Sequence, residues 1–123
     1  MTRQEITGIR DLSFSTWIRQ KLPCSSTGFV VSDLDFILTN YKTKKLMLIE
    51  VKTRNKEIAR WQSILLKNIS KWLTQGIDDD YEYYGCHVIK FENTSFEDGK
   101  CYFDDQEITE PELIERLSMF DLP

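Results

Sequence analysis

Ser32-Asp33-Leu34-Asp35-Phe36-Ile37-Leu38 and, after a short interval, Leu48-Ile49-Glu50-Val51-Lys52-Thr53 decide how this chain is read. Both runs are rich in β-branched, aromatic and aliphatic residues and read as strands, the first over residues 29–39 and the second over 46–53. Between them Asn40-Tyr41-Lys42-Thr43-Lys44-Lys45 has turn chemistry, so an antiparallel hairpin is expected. Side chains alternate across a strand. Glu50 and Lys52 therefore share one face, and the same parity puts Asp33 and Asp35 together on one face of the neighbouring strand. Carboxylates crowded in this way repel each other unless a hard divalent cation sits among them. A metal held by carboxylates can orient water and stabilise charge on a phosphate, and an adjacent lysine can polarise either. Acid, acid and lysine around a metal make a coherent site for phosphodiester hydrolysis.

An acid-x-Lys triplet by itself carries no weight, and the chain holds a second one, Asp98-Gly99-Lys100, which reads as a turn. Context separates the two. Glu50–Lys52 lies in an apolar strand too hydrophobic for a solvated edge, follows an acid-bearing strand, and precedes an amphipathic segment. That segment, residues 55–75, reads as the longest helix. Ile58, Trp61, Leu65, Ile69, Trp72 and Leu73 form its apolar stripe, and Gly76 is the expected C-terminal cap. Gln62 falls inside this stripe, at the angle that points it to the sheet, where it needs a polar partner; the alternative is a boundary glutamine reaching solvent.

Outward from this centre, Phe14, Trp17, Ile18 and Leu22 mark a helix over residues 13–22, closed by Pro23 and the Ser/Thr/Gly run after it. Past the acidic run 78–80, residues 83–91 read as a third strand. Cys101-Tyr102-Phe103 with Ile108 suggests a further strand or hairpin. Thr109-Glu110-Pro111-Glu112 has the form of a capping box before a last helix. The expected class is α/β: a mixed β-sheet flanked by helices in a single small domain over residues 1–123.

The paired runs around Asp33, Asp35, Glu50 and Lys52 resemble the PD-(D/E)XK nuclease superfamily, which includes restriction enzymes, junction resolvases and RecB-like exonucleases. The resemblance spans roughly residues 17–73 and implies a restriction-endonuclease-like fold. It implies Asp33 or Asp35 as first metal ligand, Glu50 as second and Lys52 as catalytic lysine, with Asp33, Asp35 and Glu50 all retained as candidate ligands. Gln62 resembles a glutamine that several branches place on this helix near the site. No proline precedes either aspartate, and residues 23–28 leave little room for the strand that usually precedes the acid-bearing one. The resemblance implies a deoxyribonuclease using Mg²⁺ or Mn²⁺. The rival reading is a catalytically inactive nucleic-acid-binding or protein-interaction module on the same fold.

Charge distribution bears on the partner. The 123 residues carry a net −4, yet residues 42–71 are +7, residues 72–123 are −11 and residues 1–41 are neutral. A basic segment inside an acidic chain is the local footprint that matters to a polyanion. Lys42, Lys44, Lys45, Arg54, Lys56, Arg60, Lys67 and Lys71 are the candidate phosphate contacts, with DNA, branched or single-stranded forms included, as the expected partner. A two-fold homodimer would let two sites address two strands. His87 is the only histidine, so a histidine-based metal site or triad is excluded, and no phosphate-binding Gly-rich loop is present. Three scattered cysteines, a polar opening segment and no long apolar run lead to the expectation of a cytoplasmic protein without disulfides or membrane spans.

Overall fold

A computed structural model describes residues 12–78 and 80–119. The chain divides into two compact units, Met1–Asp33 and Leu34–Pro123. In the first, α1 (Ser13–Lys21) ends at Leu22, which is extended (ψ 166°), as expected of a residue preceding proline. None of its residues is buried, and Phe14 stacks on Trp17 at 5.7 Å. A single 3-10 turn over Ser25–Thr27 closes on Gly28 at φ +93°.

The second unit contains β1 (Phe36–Asn40), β2 (Lys45–Lys52), α2 (Arg60–Gly76), β3 (Glu82–Phe91), β4 (Cys101–Phe103), β5 (Gln106–Ile108) and α3 (Glu110–Ser118). The strands form one mixed sheet in the order β1-β2-β3-β4-β5. β2 and β3 run parallel and the other neighbours antiparallel. A parallel pair needs a long crossover, and α2 supplies it. The α/β class read from the sequence is the class observed.

The β1–β2 hairpin turns through residues 41–44, where Asn40 Oδ1 accepts from the Lys42 and Thr43 amides at 3.0 and 3.1 Å. The first strand is shorter than its composition predicts. It begins at Phe36, whose partner is Ile49, rather than at residue 29. β1 is an edge strand with β2 as its one partner, and β-propensity alone cannot extend a ladder without a partner backbone. Asp33 and Asp35 therefore precede the strand, and the parity that placed them on one strand face does not apply.

Two faces of β2 have different fates. Met47 and Ile49 join Ile89, Cys101, Phe103, Ile108, Leu113 and Met119 in the apolar core under α3. Leu48, Glu50 and Lys52 alternate with them and face α2, from which Gln62 and Leu66 are the buried residues. Trp61 and Trp72, expected in the buried stripe of α2, are exposed instead. The helix covers the sheet along a narrow line through positions 62 and 66, which leaves the indole rings on its flanks. α2 also starts later than its apolar pattern suggests. Arg54 and Asn55 both take φ +55°, and their amides donate to Asn93 O (2.7 Å) and Phe91 O (3.2 Å), so the chain turns before it coils. Gly76 is still helical; the cap is Ile77, extended, with its amide on Leu73 O at 2.9 Å.

Gly85 sits in β3 where the register with β2 slips between Leu46 and Leu48. Its φ of +94° is one that side-chain-bearing residues rarely adopt, and an added Cβ would press on His87 Nε2 at 3.1 Å, so a substitution there is strained. Asp104 and Asp105, at φ +48° and +69°, form the two-residue turn joining β4 to β5. α3 opens with the expected capping box: Thr109 Oγ1 accepts from the Glu112 amide, and Glu112 Oε1 accepts from the Thr109 amide at 3.1 Å.

Candidate active site

Glu50 is buried in the middle of the sheet, 4% exposed. Its Oε1 lies 3.5 Å from Lys52 Nζ, two residues along the same face. β1 begins only at Phe36, so the next amide along β2, Val51 N–H, lacks a backbone acceptor on that side. The Asp35 carboxylate replaces it, accepting from Val51 N at 2.8 Å. One side chain thus closes the ladder and is delivered to Glu50 by the same bond. Gln62, 7% exposed, comes down from the first turns of α2 onto the same group. The structure brings together Asp35, Glu50, Lys52 and Gln62, drawn from the strand entry, the central strand and the crossover helix.

Electrostatically the group is strained. Burial pushes the Glu50 carboxyl above its ordinary range, and the neighbouring Asp35 carboxylate pushes it further. Lys52 and the Gln62 amide pull the other way without cancelling the rise. Glu50 Oε2 is buried with no hydrogen-bond partner among the described residues. An orphaned carboxylate oxygen beside a second carboxylate is unfavourable unless something positive occupies the space between them.

This has a sign in stability. A raised carboxyl pKa means that the folded chain holds its proton to higher pH than the unfolded chain does. The contribution is full below the unfolded glutamate range and is lost as pH climbs through the folded value. In chelator, Glu50→Gln is therefore expected to melt several degrees above wild type at pH 8, the gap closing towards pH 4. Melting curves across that range check it; a variant less stable than wild type at pH 8 contradicts it.

Asp33 has a different partner. It closes the first unit, and its Oδ2 takes the Arg19 guanidinium at 2.9 Å. Among the described residues no three of His, Cys, Asp and Glu gather as a metal cage. The expected three-carboxylate cluster is, in the second unit, the pair Asp35 and Glu50. Mg²⁺ is commonly held by one or two carboxylates, the remaining positions filled by water and substrate phosphate, so the donor set fits that ion. Glu5 and Asp11, further acids near the first helix, lie outside the described residues.

The basic residues separate by position. Lys45 is buried, with Nζ donating to Met119 O at 2.7 Å and lying 5.3 Å from the Tyr84 ring centre, so it serves the core and not a phosphate. Lys42 and Lys44 are on the hairpin turn, at the far end of β2 from Lys52 and roughly 25 Å away at about 3.3 Å per residue. Arg54 and Lys56 follow directly on Lys52 and are exposed, as are Arg60, Lys67 and Lys71 on α2. Lys90 lies outside the basic segment 42–71. It pairs with Lys52 in the parallel register and lies beside it on the same sheet face. Only the strand register could have found it. His87 packs on Phe103 and bonds Asp104 and the Tyr84 carbonyl, away from Glu50's face. Cys24, Cys86 and Cys101 are all free thiols.

No family model, characterised protein or solved structure matches this chain. Among the described residues, no helix is long and apolar enough to cross a membrane.

Proposed function

We propose that this chain is a divalent-metal-dependent nuclease that hydrolyses phosphodiester bonds in DNA, on a restriction-endonuclease-like core. The observation that carries the reading is the buried, unpartnered Glu50 Oε2 held next to Asp35 with the Lys52 ammonium 3.5 Å from the other oxygen of the same carboxylate. Two crowded acids and one lysine gathered at a central strand are a poor way to stabilise a fold. They are a good way to hold a cation and a phosphate at once.

Asp35 and Glu50 would hold Mg²⁺ or Mn²⁺, which supplies Lewis acidity towards a phosphate oxygen and acidifies water at the site. The chain's own groups do the rest. Val51 N–H fixes the Asp35 carboxylate, so its direction does not depend on substrate. Lys52, its side chain mostly withdrawn from solvent, offers a cation in a low-dielectric setting, where charge developing on a phosphate oxygen is stabilised more than it would be in water. Gln62 favours the charged form of Glu50, which is the form that binds a cation. Arg54, Lys56 and Arg60, exposed on the segment leading from Lys52 into α2, are suited to the flanking phosphates.

The test is cleavage of circular, linear and single-stranded DNA by purified protein with Mg²⁺, Mn²⁺ or EDTA. Products are expected with either metal and none in EDTA. Cleavage undiminished by chelator, or no cleavage of any of these with either metal, overturns the reading.

A further inference from the structure

Beyond Lys52 the same sheet face continues across two more strands. Lys52 pairs with Lys90 in β3, and Lys90 pairs with Tyr102 in β4. Paired residues share a face, and neighbouring strands are about 4.8 Å apart, so Tyr102 lies about 10 Å from Lys52 along a straight row. Over this row opens a cavity of about 290 Å³ lined by Asn55, Lys90, Glu92, Tyr102 and Asp105. That is at or below the lower end of small-molecule pockets, a size for one ring system rather than a helix. It joins a cation, an aromatic ring, and amide and carboxylate groups able to meet a base edge.

Resting on the nuclease reading above, we propose that this cavity receives an unpaired nucleotide adjoining the scissile phosphate, its base on Tyr102 and its phosphate on Lys90. A base held in a duplex pair is not free to leave the stack and fill a recess of this volume, so the substrate class is single-stranded DNA or the unpaired arm of a branched one. Lys90 is prepared for exchange. Its Nζ is held by Glu57 at 2.7 Å and lies 3.9 Å from Asp105, but those acids are 78% and 88% exposed while the lysine is 14% exposed. Pairs with such exposed carboxylates hold weakly, and a phosphate replaces them at small cost. Glu92 and Asp105 can accept from amino groups on a base edge.

Binding of a fluorescent single-stranded 12-mer and of the same strand in a duplex, with Ca²⁺ replacing Mg²⁺, tests this directly. Wild type is expected to hold the single strand at least tenfold more tightly. Tyr102→Ala should weaken single-strand binding by roughly 5- to 150-fold, the span of one lost base-stacking contact, and leave duplex binding within twofold. Tyr102→Phe, which keeps the ring, should bind as wild type does, and Lys90→Gln should weaken single-strand binding while duplex binding changes little. Equal single-strand affinity in wild type and Tyr102→Ala overturns the subsite, as does equal loss for both DNAs. Metal-dependent cleavage indifferent to strandedness would sink the subsite and leave the nuclease standing. Tyr102-dependent single-strand binding with no cleavage in Mg²⁺ or Mn²⁺ would do the reverse.

Discussion

Lys52→Ala is expected to slow DNA cleavage by two or more orders of magnitude while the protein stays folded. Removing one preorganised charge from a transition state costs about 3–4 kcal/mol, and each 1.36 kcal/mol is tenfold in rate. The proposed reading gives that role to Lys52. It is held two residues beyond Glu50 on the same face, beside Lys90. Folding should tolerate the change because the side chain is still 23% exposed and anchors no core cluster. Single-turnover rates for wild type and variant, with circular dichroism as the folding control, check it. A loss below threefold would remove Lys52 from the chemistry.

Asp35→Ala is expected to reduce cleavage still further, by about a thousandfold or more, since a metal's contribution to charge stabilisation is several kcal/mol. Asp33→Ala should lie within about threefold of wild type, because it removes only an exposed ion pair with Arg19, of a kind worth about 0–1 kcal/mol. The two aspartates are two residues apart and were indistinguishable by strand parity. In the structure one carries a hydrogen bond into β2 and the other a surface guanidinium. Comparable losses in both variants would contradict this division.

What was legible in the sequence followed from periodicity and local chemistry. The acid-x-Lys of Glu50 and Lys52 lay in a strand apolar enough to be central, and Gln62 fell inside the apolar stripe, where the sheet-facing one of its two readings is the one observed. The Thr109–Glu112 capping box was read from its spacing, and the Asn40 turn from its chemistry. What escaped the sequence depended on partners distant in the chain. β1 begins only where β2 pairs with it, so the reach of strand character back to residue 29 was misleading. Lys45 looked like one of three turn lysines, but the Met119 carbonyl and the Tyr84 ring draw it into the core. Trp61 and Trp72 are as hydrophobic as any residue of α2, yet the helix rests on the sheet along another line. Lys90 belongs beside Lys52 only through the parallel register, and no local pattern announces that.

In the proposed reading Asp35 and Glu50 together would make one divalent-cation site on the sheet. Calorimetric titration of Mn²⁺ into the purified chain tests it without recourse to activity. One ion per chain is predicted for wild type and for Lys52→Ala. Binding should be lost in Asp35→Ala and Glu50→Gln and should weaken in wild type as pH falls and Glu50 takes up its proton. Absence of Mn²⁺ binding in wild type, or binding that survives both carboxylate substitutions, would contradict the account.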